Sequence, residues 1–122
     1  MNMSTLNGRE LRDAVEAKTA DYTVTPADIG KTFTNEGATT AVTFGLPAAT
    51  VGLWYRFSVQ AAQELRIDPD GTETIALPST GAQSAAGKYI TANADGEFVE
   101  IQCVVAGSWQ VNAYIGTWTA EV

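Results

Sequence analysis

Histidine is absent from the 122 residues, cysteine occurs once, and seven lysines and arginines stand against fourteen aspartates and glutamates. Without imidazole there is no Ser-His-Asp or Cys-His nucleophilic machinery and no His-ligated zinc. The lone Cys103 excludes an intrachain disulfide and a thiolate-rich metal site, and within "EIQCVVAG" it reads as a small core hydrophobe. The glycines sit one at a time at strand ends, so no phosphate-cradling loop is present, and no cofactor is expected. No run approaches the roughly 20 apolar residues of a spanning helix. "MNMSTLNGRE" lacks a basic segment followed by an apolar one, so a cytoplasmic product without a signal peptide is expected. The net charge is -7; Arg9, Arg12 and Lys18 cancel Glu10, Asp13 and Glu16, which leaves the whole excess on residues 21–122. A body of that sign repels phosphate, and with no basic stripe it speaks against a nucleic-acid partner.

What is present suffices for one core, since 45% of the residues are hydrophobic and a chain of this length buries about two-thirds of its unfolded surface. Residues 7–18, "NGRELRDAVEAK", predict a short helix. Asn7 is the N-cap, Glu10 completes a capping box, and Leu6 and Leu11 form a hydrophobic staple. Leu11, Ala14, Val15 and Lys18 share one face, but that face is narrow, and a helix of about a dozen residues is marginal alone. It therefore needs something to lie against, either its own domain or a partner, and residues 1–20 are expected to form a helical arm that orders on contact, with Leu6, Leu11 and Val15 as its anchors.

From residue 20 onward the hydrophobic period becomes two, with turn signals at short intervals. The pattern predicts an all-β domain over 21–122, an antiparallel β-sandwich of jelly-roll type. Segments 31–37 and 40–47 read as a strand pair joined through Asn35-Glu36-Gly37, and 65–77 reads as a hairpin about Pro69-Asp70-Gly71. Segment 78–88 reads as a long loop, and 89–116 as three strands joined at Asp95-Gly96 and Ala106-Gly107-Ser108. The strongest strand signal is "LWYRFSVQA", in which Leu53, Tyr55, Phe57 and Val59 face a core and Trp54 and Arg56 face away.

Two acidic patterns carry possible chemistry. "DPDGTET" opens like a calcium loop, but Ser79 stands where a bidentate Glu belongs, so a plain β-turn is expected and no metal. Any two of Asp21, Asp28, Asp68, Asp70, Asp95 and Glu97 could form a paired-carboxylate site; nearly all lie beside Gly or Pro in turns, where Asp bonds backbone, and no catalytic residue is expected. Trp54, Tyr114 and Trp118 fall opposite the predicted core positions. Sugar stacking, internal cover and a subunit contact all fit them, the last best, because large aromatics mark interface centres.

The ordered run "YTVTPADIGKTFTNEGA", "VTFGLPAA", "GLWYRFSV", "LRIDPDGTETI", "GKYITA" and "GSWQV" lies within residues 21–118. It resembles a small β-domain of tailed-phage virion proteins. The resemblance implies a virion surface component and not an enzyme, and a free-standing domain of this size is similar to capsid decoration, or cement, proteins. It further implies a homotrimer seated on the major capsid protein of a phage head, made in the host cytoplasm. Leu6, Leu11, Val15, Trp54, Arg56, Tyr114 and Trp118 are the candidate partner-binding residues. A tail-fibre or baseplate β-module, and a carbohydrate-binding module using Trp54 and Trp118, are the alternatives.

Overall fold

The computed structural model describes residues 14–122, and its regular elements are strands almost throughout. β1 (Val15–Ala17), β3 (Thr32–Thr34) and β5 (Trp54–Ser58) lie side by side and parallel in one sheet. In a second sheet β2 (Tyr22–Thr23), β4 (Val42–Gly45) and β6 (Leu65–Asp68) do the same. β7 (Thr74–Ile75) then pairs in parallel with β10 (Ser108–Ile115), at the far side of the first sheet. β8 (Ile90–Ala92) runs antiparallel beside β6, β9 (Phe98–Val105) beside β5, and β11 (Thr119–Ala120) beside β8. A six-stranded sheet ordered β1-β3-β5-β9-β10-β7 thus faces a five-stranded sheet ordered β11-β8-β6-β4-β2. Every connection but the β9–β10 hairpin crosses from one sheet to the other.

Alternation decides which side chains meet between the sheets. Tyr55 and Phe57 of β5, with Val99, Ile101 and Cys103 of β9, face Phe44 of β4, Leu65 and Ile67 of β6 and Ile90 of β8, all fully buried. Phe44 touches Phe33 and Phe57 of the opposite sheet at ring separations of 5.4 and 5.3 Å, and Tyr55 meets Trp109 at 5.8 Å. Each such ring removes apolar surface worth about 1.5–3 kcal/mol. These rings and the aliphatic side chains around them fill the space between the sheets.

Four expectations are corrected. The described part of the predicted 7–18 helix is extended: Thr32 N–H donates to the Ala14 carbonyl, Lys18 N–H to that of Thr34, and β1 lies between them. A β-branched Val15 and a narrow apolar face favour pairing with an available edge over a marginal helix. Leu6, Leu11 and the rest of that segment lie outside the described residues. The supposed 31–37/40–47 pair is split, since β3 and β4 belong to different sheets, and 65–77 is split likewise between β6 and β7. Among the described residues the sheets are mixed and not antiparallel, which is not the connectivity of a jelly roll. A period of two states which face turns inward but not which strand lies alongside. Asn35 of the supposed link is fully buried: it accepts the N–H groups of Gln60 and Ala61 at 2.7 and 3.0 Å and donates to the Ala61 and Gln63 carbonyls.

Candidate functional site

The outward face of the six-stranded sheet collects most of the described partner-binding candidates. Because Tyr55 and Phe57 point inward, Trp54, Arg56 and Ser58 point out, half-buried. Arg56 lies directly opposite Glu100 on β9, and its Nε donates to Glu100 Oε1 at 3.0 Å. Its guanidinium also rides over the Trp54 ring, 4.7 Å from the centroid. That ring is backed by Gly30, where φ is +80° and a Cβ would come within 3.3 Å of Trp54 Cζ2. Outward from Glu100 the row continues: Asn112 Nδ2 donates to Gln102 Oε1 at 2.9 Å and to Glu100 Oε2 at 3.4 Å, and Gln110 Nε2 donates to Asn112 Oδ1 at 2.8 Å. Trp54, Arg56, Glu100, Gln102 and Asn112 line an open cleft of about 240 Å³.

On the same face a broad groove of about 500 Å³ runs over β1, β3 and β5, lined by Val15, Ala17, Thr32, Thr34, Ser58 and Gln60 with Glu36 at its rim. Val15 is 63% exposed there. The β1 rim is fastened by charge. Glu16 pairs with Lys18 and Lys31, and Lys31 reaches Asp28 at 2.9 Å. The Lys31 ammonium outweighs desolvation at Glu16 and holds its carboxyl below the usual range.

A third cleft, of about 290 Å³, opens beside β6, β8 and β11 between Glu64, Thr91, Asn93, Glu97, Thr117 and Thr119. Two carboxylates line it, but neither suits a general acid. Burial pushes Glu97 up, yet the N–H groups of Thr117, Ala94 and Asn93, at 2.7, 2.9 and 3.1 Å, bring its pKa below normal. Glu64 is lowered chiefly by Arg66 at 3.1 Å. An acid partner of a glycosidase pair needs a raised pKa. In the calcium-like stretch, Glu73 N–H donates to the Asp70 carbonyl at 2.9 Å, and Glu73 Oε1 accepts the Ala49 N–H at 2.8 Å. The segment is a turn that ties down the neighbouring loop, and among the described residues no trio of His, Cys, Asp and Glu could hold a metal.

Trp54 and Arg56 are brought together, Val15 lies farther along the same face, and Tyr114 stands 45% exposed on β10. Trp118 departs from expectation: it is 2% exposed, in the core, and its indole N–H donates to the carbonyls of Phe98 and Ile115. The chain bends at Gly116, where φ is +88°, as it leaves β10 for the other sheet. Sequence reasoning missed Glu100, Gln102 and Asn112. The alternation of Glu100 and Gln102 with Val99, Ile101 and Cys103 marks an outward face, but only the β5–β9 register puts that face beside Trp54 and Arg56.

The molecule is thus an all-β protein of two mixed sheets whose surface offers shallow, internally paired clefts. Compared with models of known protein families and with curated proteins, the chain matches none. Among the described residues no helix is long and apolar enough to cross a membrane.

Proposed function

We propose that this chain is a non-enzymatic structural protein of a tailed-phage virion, a decoration protein whose two sheets form a β-sandwich that binds and stabilises the head shell. The reading rests first on the resemblance carried by residues 21–118. The structural observation that supports it best is the outward face of the six-stranded sheet, where an aromatic and amide row adjoins a broad groove whose walls are mostly small side chains. Charged groups at these places are engaged within the protein, Arg56 with Glu100 and Glu16 with Lys18 and Lys31. Such a face suits contact over an area more than it suits enclosing a substrate. A protein that binds the assembled lattice of a major capsid protein, and not its free subunit, stabilises the shell by mass action. Repetition over many lattice positions compensates for a modest individual contact.

The test is heat resistance of phage shells prepared with and without the protein. Decorated shells are expected to survive to higher temperature, and equal survival would overturn the proposal. A carbohydrate-binding role has one observation in its favour, the cleft in which Trp54 lies beside Arg56, Glu100, Gln102 and Asn112. Binding on a glycan array that is abolished by Trp54→Ala would establish that role instead.

A further inference from the structure

The calcium-like stretch "DPDGTET" contains one of the two Asp-Gly steps in the sequence, Asp70-Gly71; the other is Asp95-Gly96. At such a step the main chain can react with its own side chain. The backbone nitrogen of the glycine attacks the aspartate Cγ, a carboxyl oxygen leaves as water, and a cyclic succinimide forms. Water then opens the ring at either carbonyl, which restores aspartate or gives isoaspartate, whose main chain runs through the side-chain carbon. The net change is an isomerisation, and water is the only other reactant. Glycine favours it because no Cβ shields the nitrogen and the backbone turns freely. Ring closure also needs a glycine nitrogen that holds no acceptor and a carboxyl that is free to swing.

Both steps are exposed, so access to water does not separate them. Hydrogen bonding does. Asp70 and Gly71 lie in the link between β6 and β7, where Gly71 has φ +55°. Among the described residues the Asp70 carboxylate has no hydrogen bond or ion pair, and the Gly71 N–H has no acceptor. The bond that closes this turn, Glu73 N–H to the Asp70 carbonyl at 2.9 Å, leaves both reacting groups free. At the other step Gly96 N–H donates to the Val59 carbonyl at 2.8 Å. Glu97 fixes the same turn, since its N–H donates to the Ala94 carbonyl at 3.1 Å and its Oε1 accepts the N–H groups of Asn93 and Ala94. The Gly96 nitrogen must leave Val59 before it can attack, so reaction there waits on local opening.

We infer that Asp70 is a site of spontaneous isoaspartate formation in the folded protein, while the bond from Gly96 to Val59 protects Asp95. The place of Asp70 gives the modification a structural effect. Glu73, held by the Asp70 carbonyl, accepts the Ala49 N–H on Oε1 at 2.8 Å and the Gly87 N–H on its own carbonyl at 2.9 Å. Gly87 packs so closely on the Gly71 carbonyl that an added Cβ would lie 2.6 Å from that oxygen. Isoaspartate lengthens the main chain at this turn by one carbon and converts the Asp70 carbonyl into a free carboxylate. It therefore loosens the ties from the turn to the segments around Ala49 and Gly87.

The experiment stores the purified full chain at neutral pH and physiological temperature. Isoaspartate is then labelled with protein isoaspartyl methyltransferase and a labelled methyl donor, and tryptic peptide maps place the label. Label is expected at Asp70 at least about tenfold sooner than at Asp95, in a peptide of unchanged mass. Asn7-Gly8, outside the described residues, can also yield isoaspartate, but it gains mass on deamidation and lies on another tryptic peptide. In urea the steps at Asp70 and Asp95 are expected to react at similar rates, because only the fold separates them. Asp70→Glu, whose longer side chain disfavours the ring, should abolish the label in its peptide. Protein labelled at Asp70 is expected to melt below fresh protein. Label at Asp95 as early as at Asp70 in the folded chain would overturn the inference. So would label at neither while the chain in urea reacts, or label that persists in Asp70→Glu. Equal melting of fresh and labelled protein would overturn the loosening of the turn.

Discussion

Replacing Asp28 by Asn should reveal how the β1–β3 corner is held. Asp28 is 4% exposed. Its Oδ2 accepts the Tyr22 hydroxyl at 2.9 Å, the Thr25 N–H at 3.0 Å and the Thr25 hydroxyl at 3.2 Å, while Oδ1 faces Lys31 Nζ at 2.9 Å. Burial raises the pKa of such a carboxyl, but Lys31, the Thr25 N–H and the Tyr22 hydroxyl together outweigh it, and the pKa falls from 3.8 to about 2. The native state therefore favours the ionised form, and the difference corresponds to about 2 kcal/mol of stability. That contribution is complete above pH 3.8 and is lost as the pH falls through about 2. Asn at this position keeps the shape and one acceptor but not the charge. Asp28→Asn should thus lose about 2 kcal/mol at neutral pH, or roughly 8 °C in Tm, with the gap closing as acid protonates the native carboxyl. Urea unfolding followed by tryptophan fluorescence, for both proteins between neutral pH and pH 2, measures the gap directly. A gap that stays constant with pH, or one below about 0.5 kcal/mol at neutrality, would refute the reasoning.

Further outcomes follow from other buried contacts. Asn35→Ala removes four hydrogen bonds from the 60–63 segment and leaves its backbone groups unpaired, so about 3 kcal/mol or more should be lost in chemical denaturation. Gly116→Ala should cost roughly 2 kcal/mol or more, because φ is +88° and the added Cβ would lie 2.6 Å from Glu97 Oε2. Gly81→Ala, at φ +74° in open space, should cost only about 1 kcal/mol, and equal melting of the two variants would contradict this. Trp118→Ala should cost about 3–5 kcal/mol, whereas Tyr114→Ala should leave the melting of dilute protein nearly unchanged.

Much of the face assignment was legible in residue order. Leu53, Tyr55, Phe57 and Val59 alternate with Trp54, Arg56 and Ser58, and the structure turns the first set inward and the second outward. The β9–β10 hairpin was readable at Ala106-Gly107-Ser108 because both of its strands share a sheet and the link is short. The other supposed hairpins were not, since turn residues fit a crossover between sheets as well as a reversal within one. Trp118 shows the same limit. Its parity suggested an outer face, but the chain bends at Gly116 and the Trp118 indole N–H reaches the Phe98 carbonyl of β9, and no periodic pattern extends across such a bend.

Alternation and missing histidine, properties of neighbouring residues or of totals, by themselves determined an all-β body, most of the inward side chains of its longer strands and the absence of imidazole chemistry. Tertiary structure alone decided the neighbours: that β3 and β5 run parallel, that Arg56 meets Glu100, that Asn35 is buried, and that β7 pairs with β10 at Ser108 and Trp109. The physical reason is that period and propensity act along the chain. Register and edge exposure depend on which distant strand arrives alongside, and the packing of the two sheets makes that choice.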